Sequence, residues 1–99
     1  MHTSGDNIDY RFLEAVTLKK LQEYVDSTYS QHYVGKKETQ VIDLWESLGS
    51  LETTSRDTAI KYLCRYGKKD GRNQKDLYKA MHYIMLMIYC SEVERAQQQ

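Results

Sequence analysis

Apolar side chains recur at Ile8, Phe12, Val16, Leu18, Leu21 and Val25, close to the 3.6-residue period of an α-helix, and predict a first helix within residues 8–27. Residues 1–7 carry no such pattern and read as a frayed start. The polar, tyrosine-rich stretch 27–37, with a glycine at position 35, reads as a connection. A second, short helix is expected through Val41, Ile42, Leu44, Trp45 and Leu48, closed by Gly49 in a left-handed conformation. Thr54-Ser55-Arg56-Asp57 has the form of a capping box and so predicts the start of a third helix. That helix carries Ala59, Ile60, Leu63, Cys64 and Tyr66 and stops at Gly67. A glycine-bracketed loop, 67–72, follows. Asn73 and Asp76 then open a last helix running from about residue 74 to about residue 95. The pattern describes an all-α protein, a compact bundle of about four helices, with residues 97–99 as a disordered tail.

The last helix departs from ordinary amphipathicity. From Ala80 to Cys90, ten of eleven residues are apolar or aromatic, and only His82 interrupts them. A helix apolar on all sides must be covered on all sides. The 77–90 stretch is therefore expected either at the centre of the bundle or at an interface of a homo-oligomer.

Length and composition narrow the picture. With 99 residues there is room for one hydrophobic core. The absence of proline favours uninterrupted helices. Hydrophobic residues at 40%, charged residues at 28% and a mean hydropathy of −0.73 fit a soluble globular domain, not a disordered tail. No apolar run approaches the ~18 residues of a membrane span and no signal-peptide pattern opens the chain, so a cytoplasmic protein without a membrane partner is expected. Cys64 and Cys90 stand alone, without metal-ligand spacing, and are expected as reduced core residues.

Fourteen basic and fourteen acidic side chains give zero net charge, which argues against long polyanions as partners and ranks nucleic acid last. The charges are unevenly placed, however. Residues 56–79 hold eight basic and three acidic side chains, a local +5, and the other 75 residues carry −5. Within that window Lys61 and Arg65 are four apart and share a helix face, while Lys68, Lys69 and Arg72 line the loop. The start of the last helix adds unpaired amides and the positive end of a dipole. Arginine forks, mobile lysines and free amides suit phosphate. A basic loop kept only for solubility fits the same residues. Tyr62, Tyr66 and Tyr78 are placed to stack on a base, or to serve as core and rim residues.

The strings His32-Tyr33, Val41-Ile42-Asp43-Leu44, Ala59-Ile60-Lys61-Tyr62-Leu63-Cys64-Arg65-Tyr66-Gly67-Lys68-Lys69 and Asp76-Leu77-Tyr78-Lys79-Ala80-Met81-His82-Tyr83-Ile84 resemble, in order and spacing, a phage family known as SaV-like. Its domain also occurs in a small phage nucleotide monophosphate kinase that lacks a P-loop. The resemblance spans about residues 31–90, and Asp57-Thr58 stands where relatives carry Gly-Asn. It divides the chain into an N-terminal extension with one helix, 1–30, and a SaV-like helical domain, 31–96. It implies a phage-encoded nucleotide-binding protein of the host cytoplasm. Lys61, Arg65, Lys68, Lys69 and Arg72 would hold phosphate, with His32, Tyr33 and Tyr62 beside the phosphate or base. His32 has a purely structural role as its alternative.

Catalysis is left open. Phosphoryl transfer without a P-loop needs mainly positioning and charge neutralisation, so Asp70 or Asp76 would hold Mg²⁺ through water if it occurs. No metal motif surrounds either acid, and Asp76 serves equally as a first-turn carboxylate facing the helix dipole. The alternative function is a non-catalytic anti-defence protein that sequesters a nucleotide signal, or one that binds and inhibits a host protein.

Overall fold

A computed structural model describes residues 8–30, 41–68 and 70–98. Helix α1 spans Glu14–Ser30, residues 41–47 form α2, α3 spans Leu51–Arg65 and α4 spans Gln74–Gln97. The described residues form an all-α bundle built on the packed α3–α4 pair, with α1 laid against α4.

Helix α1 starts within the stretch its hydrophobic period marked and ends three residues beyond it. Leu13, at φ 60°, turns the chain into it, and its carbonyl accepts the Thr17 amide at 2.9 Å. The side that turns inward is Leu21, Tyr24, Val25 and Thr28, all half-buried. Ile8, Phe12, Val16 and Leu18 stay exposed. The periodicity thus located the helix, although four of the six apolar positions lie away from the packed side.

The α2–α3 turn is a Schellman motif. Gly49 stands at φ 76°, its amide donates to the Glu46 carbonyl at 3.1 Å, and the Ser50 amide reaches the Trp45 carbonyl at 2.9 Å. The chain passes from this turn straight into α3. The capping box expected at 54–57 is therefore corrected: those residues lie inside the helix, which starts at Leu51 after Ser50. The Ser50 hydroxyl does not cap α3; it donates back to the Trp45 carbonyl at 3.4 Å. Leu51, 4% exposed, anchors the first turn instead.

Leu51, Ser55 and Ala59, four apart, form the buried row of α3, and Asp76 and Ala80 the buried row of α4. Their small side chains allow close approach. The Tyr62 and Tyr83 rings stack across the seam, 6.1 Å between centroids and 18° between planes. Because Tyr62 is near the end of α3 and Tyr83 is in the first half of α4, the two helices run antiparallel. Gly67 at φ 84° ends α3 as expected, and its amide donates to the Gly71 carbonyl at 2.7 Å, closing a tight loop. Asn73 caps α4 by accepting the Lys75 amide at 2.9 Å.

Exposure bears on two further expectations. Cys64 is exposed and not in the core, since five residues past Ala59 is half a turn away from the buried row; Cys90 is half-buried, and both thiols are free. The apolar stretch of α4 is covered on one side only: Ile84 is 42% and Ile88 56% exposed, with Met85 and Tyr89 also open.

Candidate functional site

Helix geometry sorts the side chains around the α3–α4 seam. At about 100° per residue, Arg65 and Leu63 fall on opposite flanks of the buried row of α3, as Lys79 and Ile84 do on α4. In an antiparallel pair these flanks match across the seam. One side is therefore basic and the other apolar.

On the basic flank three cations gather over one tyrosine. The Lys61 ammonium is 4.8 Å from the Tyr62 ring centroid, the Arg65 guanidinium 5.1 Å and the Lys79 ammonium 5.1 Å. Tyr62 is held by its stacking on Tyr83. The ion pairs among the described residues, Arg56–Asp57 at 3.6 Å and Arg95–Glu92 at 3.9 Å, are both exposed and involve none of the three. Each cation over a ring is worth about 0.5–1 kcal/mol at an exposed site. A charged hydrogen bond to phosphate is worth about 1.5–3 kcal/mol. The ring keeps the cations together at little cost to their release.

Lys61 and Arg65 are thus brought together as their helical spacing indicated, and both contact the Tyr62 ring. Lys79 joins them from α4. It was counted in the basic window but not among the phosphate-holding residues, because only the antiparallel register of two helices places it over Tyr62. Lys68 and Arg72 are exposed on the loop and make no contact with this ring. The Arg72 stem passes the closed turn, its Cγ 4.0 Å from where a Gly67 side chain would begin. His32, Tyr33 and Lys69 lie outside the described residues. Tyr78 faces α1, its ring 6.3 Å from that of Tyr24, and His82 meets Tyr24 edge-on at 5.9 Å.

Asp76 is in the first turn of α4, one turn before Lys79. It is 6% exposed, and its Oδ2 is buried without a hydrogen-bond partner. Asp70 is exposed in the loop. No group of three or more His, Cys, Asp or Glu side chains is placed to hold a metal ion among the described residues.

At the far end of the hairpin the Tyr89 hydroxyl donates to the Glu46 carboxylate, tying α4 to α2. That bond and the Glu46 charge push the Tyr89 phenol above its ordinary value. Burial, with the charges of Glu52 and Glu46, pushes the Cys90 thiol up, keeping it protonated and unsuited to nucleophilic work. No helix among the described residues is long and apolar enough to cross a membrane.

A family model for DUF3310, a protein of unknown function, matches residues 27–85, more than half of the chain, and the chain belongs to that family. The matched segment contains Lys61, Tyr62, Arg65, Asp76, Lys79 and Tyr83. No curated protein and no solved structure matches the chain.

Proposed function

We propose that this DUF3310 chain is a small phage-encoded nucleotide-binding protein of the SaV-like kind, which holds phosphate with Lys61, Arg65 and Lys79. The observation that carries the reading is the gathering of three cations over Tyr62 with none of them in an ion pair among the described residues. Uncompensated cations one helix turn apart, on two helices, are what a phosphate needs, since its oxygens accept from several donors at once. Lys68, Lys69 and Arg72 extend positive charge along the loop for a longer phosphate chain.

Calorimetric titration with mono-, di-, tri- and cyclic nucleotides, and with inorganic phosphate, tests this. Saturable binding of at least one of them is expected. Arg65→Ala and Lys79→Ala should each weaken it about tenfold or more, with the helical signal unchanged. A folded protein that binds no phosphate compound would overturn the reading. Incubation with Mg²⁺ and ATP then separates the two versions of the function. Turnover identifies a nucleotide kinase-like enzyme without a P-loop, and stoichiometric binding without turnover identifies a non-catalytic protein that sequesters a nucleotide.

The opposite flank favours a second role for the same hairpin. Ile60, Leu63, Ile84 and Ile88 are half or nearly half exposed, and a contiguous apolar surface of this kind is typical of association sites. Self-association of α3 and α4 fits it, with inhibition of a host protein as the competing occupant.

A further inference from the structure

We infer that Asp76 is a ligand-reading residue: its buried carboxylate accepts a hydrogen bond from an N–H or O–H of the nucleoside whose phosphate is held by Lys61, Arg65 and Lys79. This rests on the phosphate site proposed above and deepens it. A carboxylate oxygen withdrawn from water without a partner is costly, and buried polar groups are nearly always satisfied. Asp76 is 6% exposed and its Oδ2 has no partner. A first-turn acid faces the positive end of the helix dipole, but that attraction leaves the buried Oδ2 without a hydrogen bond. The capping function is taken by Asn73, whose side chain already accepts the Lys75 amide. Neither adjacent cation neutralises it: Lys75, one residue before, and Lys79, three residues on, make no ion pair with it, and Lys79 is over the Tyr62 ring instead.

The placement is specific. Asp76, Lys79 and Tyr83, at i, i+3 and i+7, share one side of α4, and Lys79 and Tyr83 both contact Tyr62. An unpaired acceptor thus lies one turn from an unpaired group of cations. Inorganic phosphate satisfies only the cations. A nucleoside phosphate, with phosphate oxygens at one end and hydroxyl or N–H donors at the other, satisfies both.

The test compares inorganic phosphate with the ribo- and deoxyribonucleoside 5′-monophosphates, by titration of the full chain and of Asp76→Asn. At least one nucleotide should bind the unmodified chain ten times more tightly than inorganic phosphate. Asp76→Asn should remove about tenfold or more of that preference while leaving phosphate affinity unchanged or higher. A loss confined to ribonucleotides assigns the donor to the sugar 2′-hydroxyl, and a loss confined to one base assigns it to that base. Equal weakening of nucleotide and phosphate, or no change in either, would overturn the inference. Should Asp76→Asn not fold, a series of nucleotides lacking successive donors replaces it; uniform affinity across that series, equal to that of phosphate, would overturn the inference alone. Failure of every phosphate compound to bind would overturn the underlying site as well.

Discussion

The residues around Tyr62 are marked by what they are not paired with among the described residues. Lys61, Arg65 and Lys79 face a ring and not a carboxylate, and Asp76 Oδ2 has no hydrogen-bond partner. Lys61 and Arg65 were legible in the sequence, since four residues apart on a helix fixes a common side. Lys79 and the burial of Asp76 were not, because both depend on which turn of α4 meets which turn of α3. Cys64 shows the converse: an apolar string suggested the core, and half a turn of rotation puts it outside. Tyr89 permits a test by pH. Its phenol is raised in the folded state by the hydrogen bond to Glu46, so the folded chain holds that proton more tightly than the unfolded one. The contribution is complete below pH 10 and is lost as pH rises through the folded-state value. The melting temperature of the native chain should therefore fall more steeply above pH 10 than that of Tyr89→Phe, and Trp45 emission should report the loosening of α2. Identical profiles would remove the link.

At the scale of elements, glycines set the boundaries that the sequence predicted well. Gly49 and Gly67 both adopt positive φ and end their helices. Gly67→Ala meets no obstacle, since the nearest atom to the new side chain is Arg72 Cγ at 4.0 Å. Its cost is the left-handed backbone alone, about 1–2 kcal/mol, readable in urea unfolding. An unchanged midpoint would show that the loop can relax its conformation. The start of α3 was misread because the capping-box pattern is local, whereas the helix is initiated by the Schellman turn before it and by burial of Leu51. The Thr53 and Thr58 hydroxyls, on either side of the expected capping box, donate to the carbonyls of Ser50 and Thr54 and so are absorbed within the helix.

For the whole molecule, the buried hydrophobic residues among those described are Leu51, Ala59 and Ala80. Large apolar side chains of α4 remain open, as expected from a stretch with no polar side. Association through that flank should give a mass above that of one chain in light scattering at micromolar concentration. Ile84→Glu with Ile88→Glu should return the mass to a monomer, and a native chain that is already monomeric would refute the association. The all-α class and the helix order were legible from periodicity alone. The division into a basic and an apolar flank was not, because it belongs to a pair of helices and to neither one separately. That division has a kinetic consequence. In a chain of zero net charge, unneutralised cations gathered on one flank would turn that flank toward an approaching anion before contact. Such guidance reaches only about 8 Å at physiological ionic strength. Capture would then be fast in dilute buffer and slow in concentrated salt, although the chain as a whole is neutral.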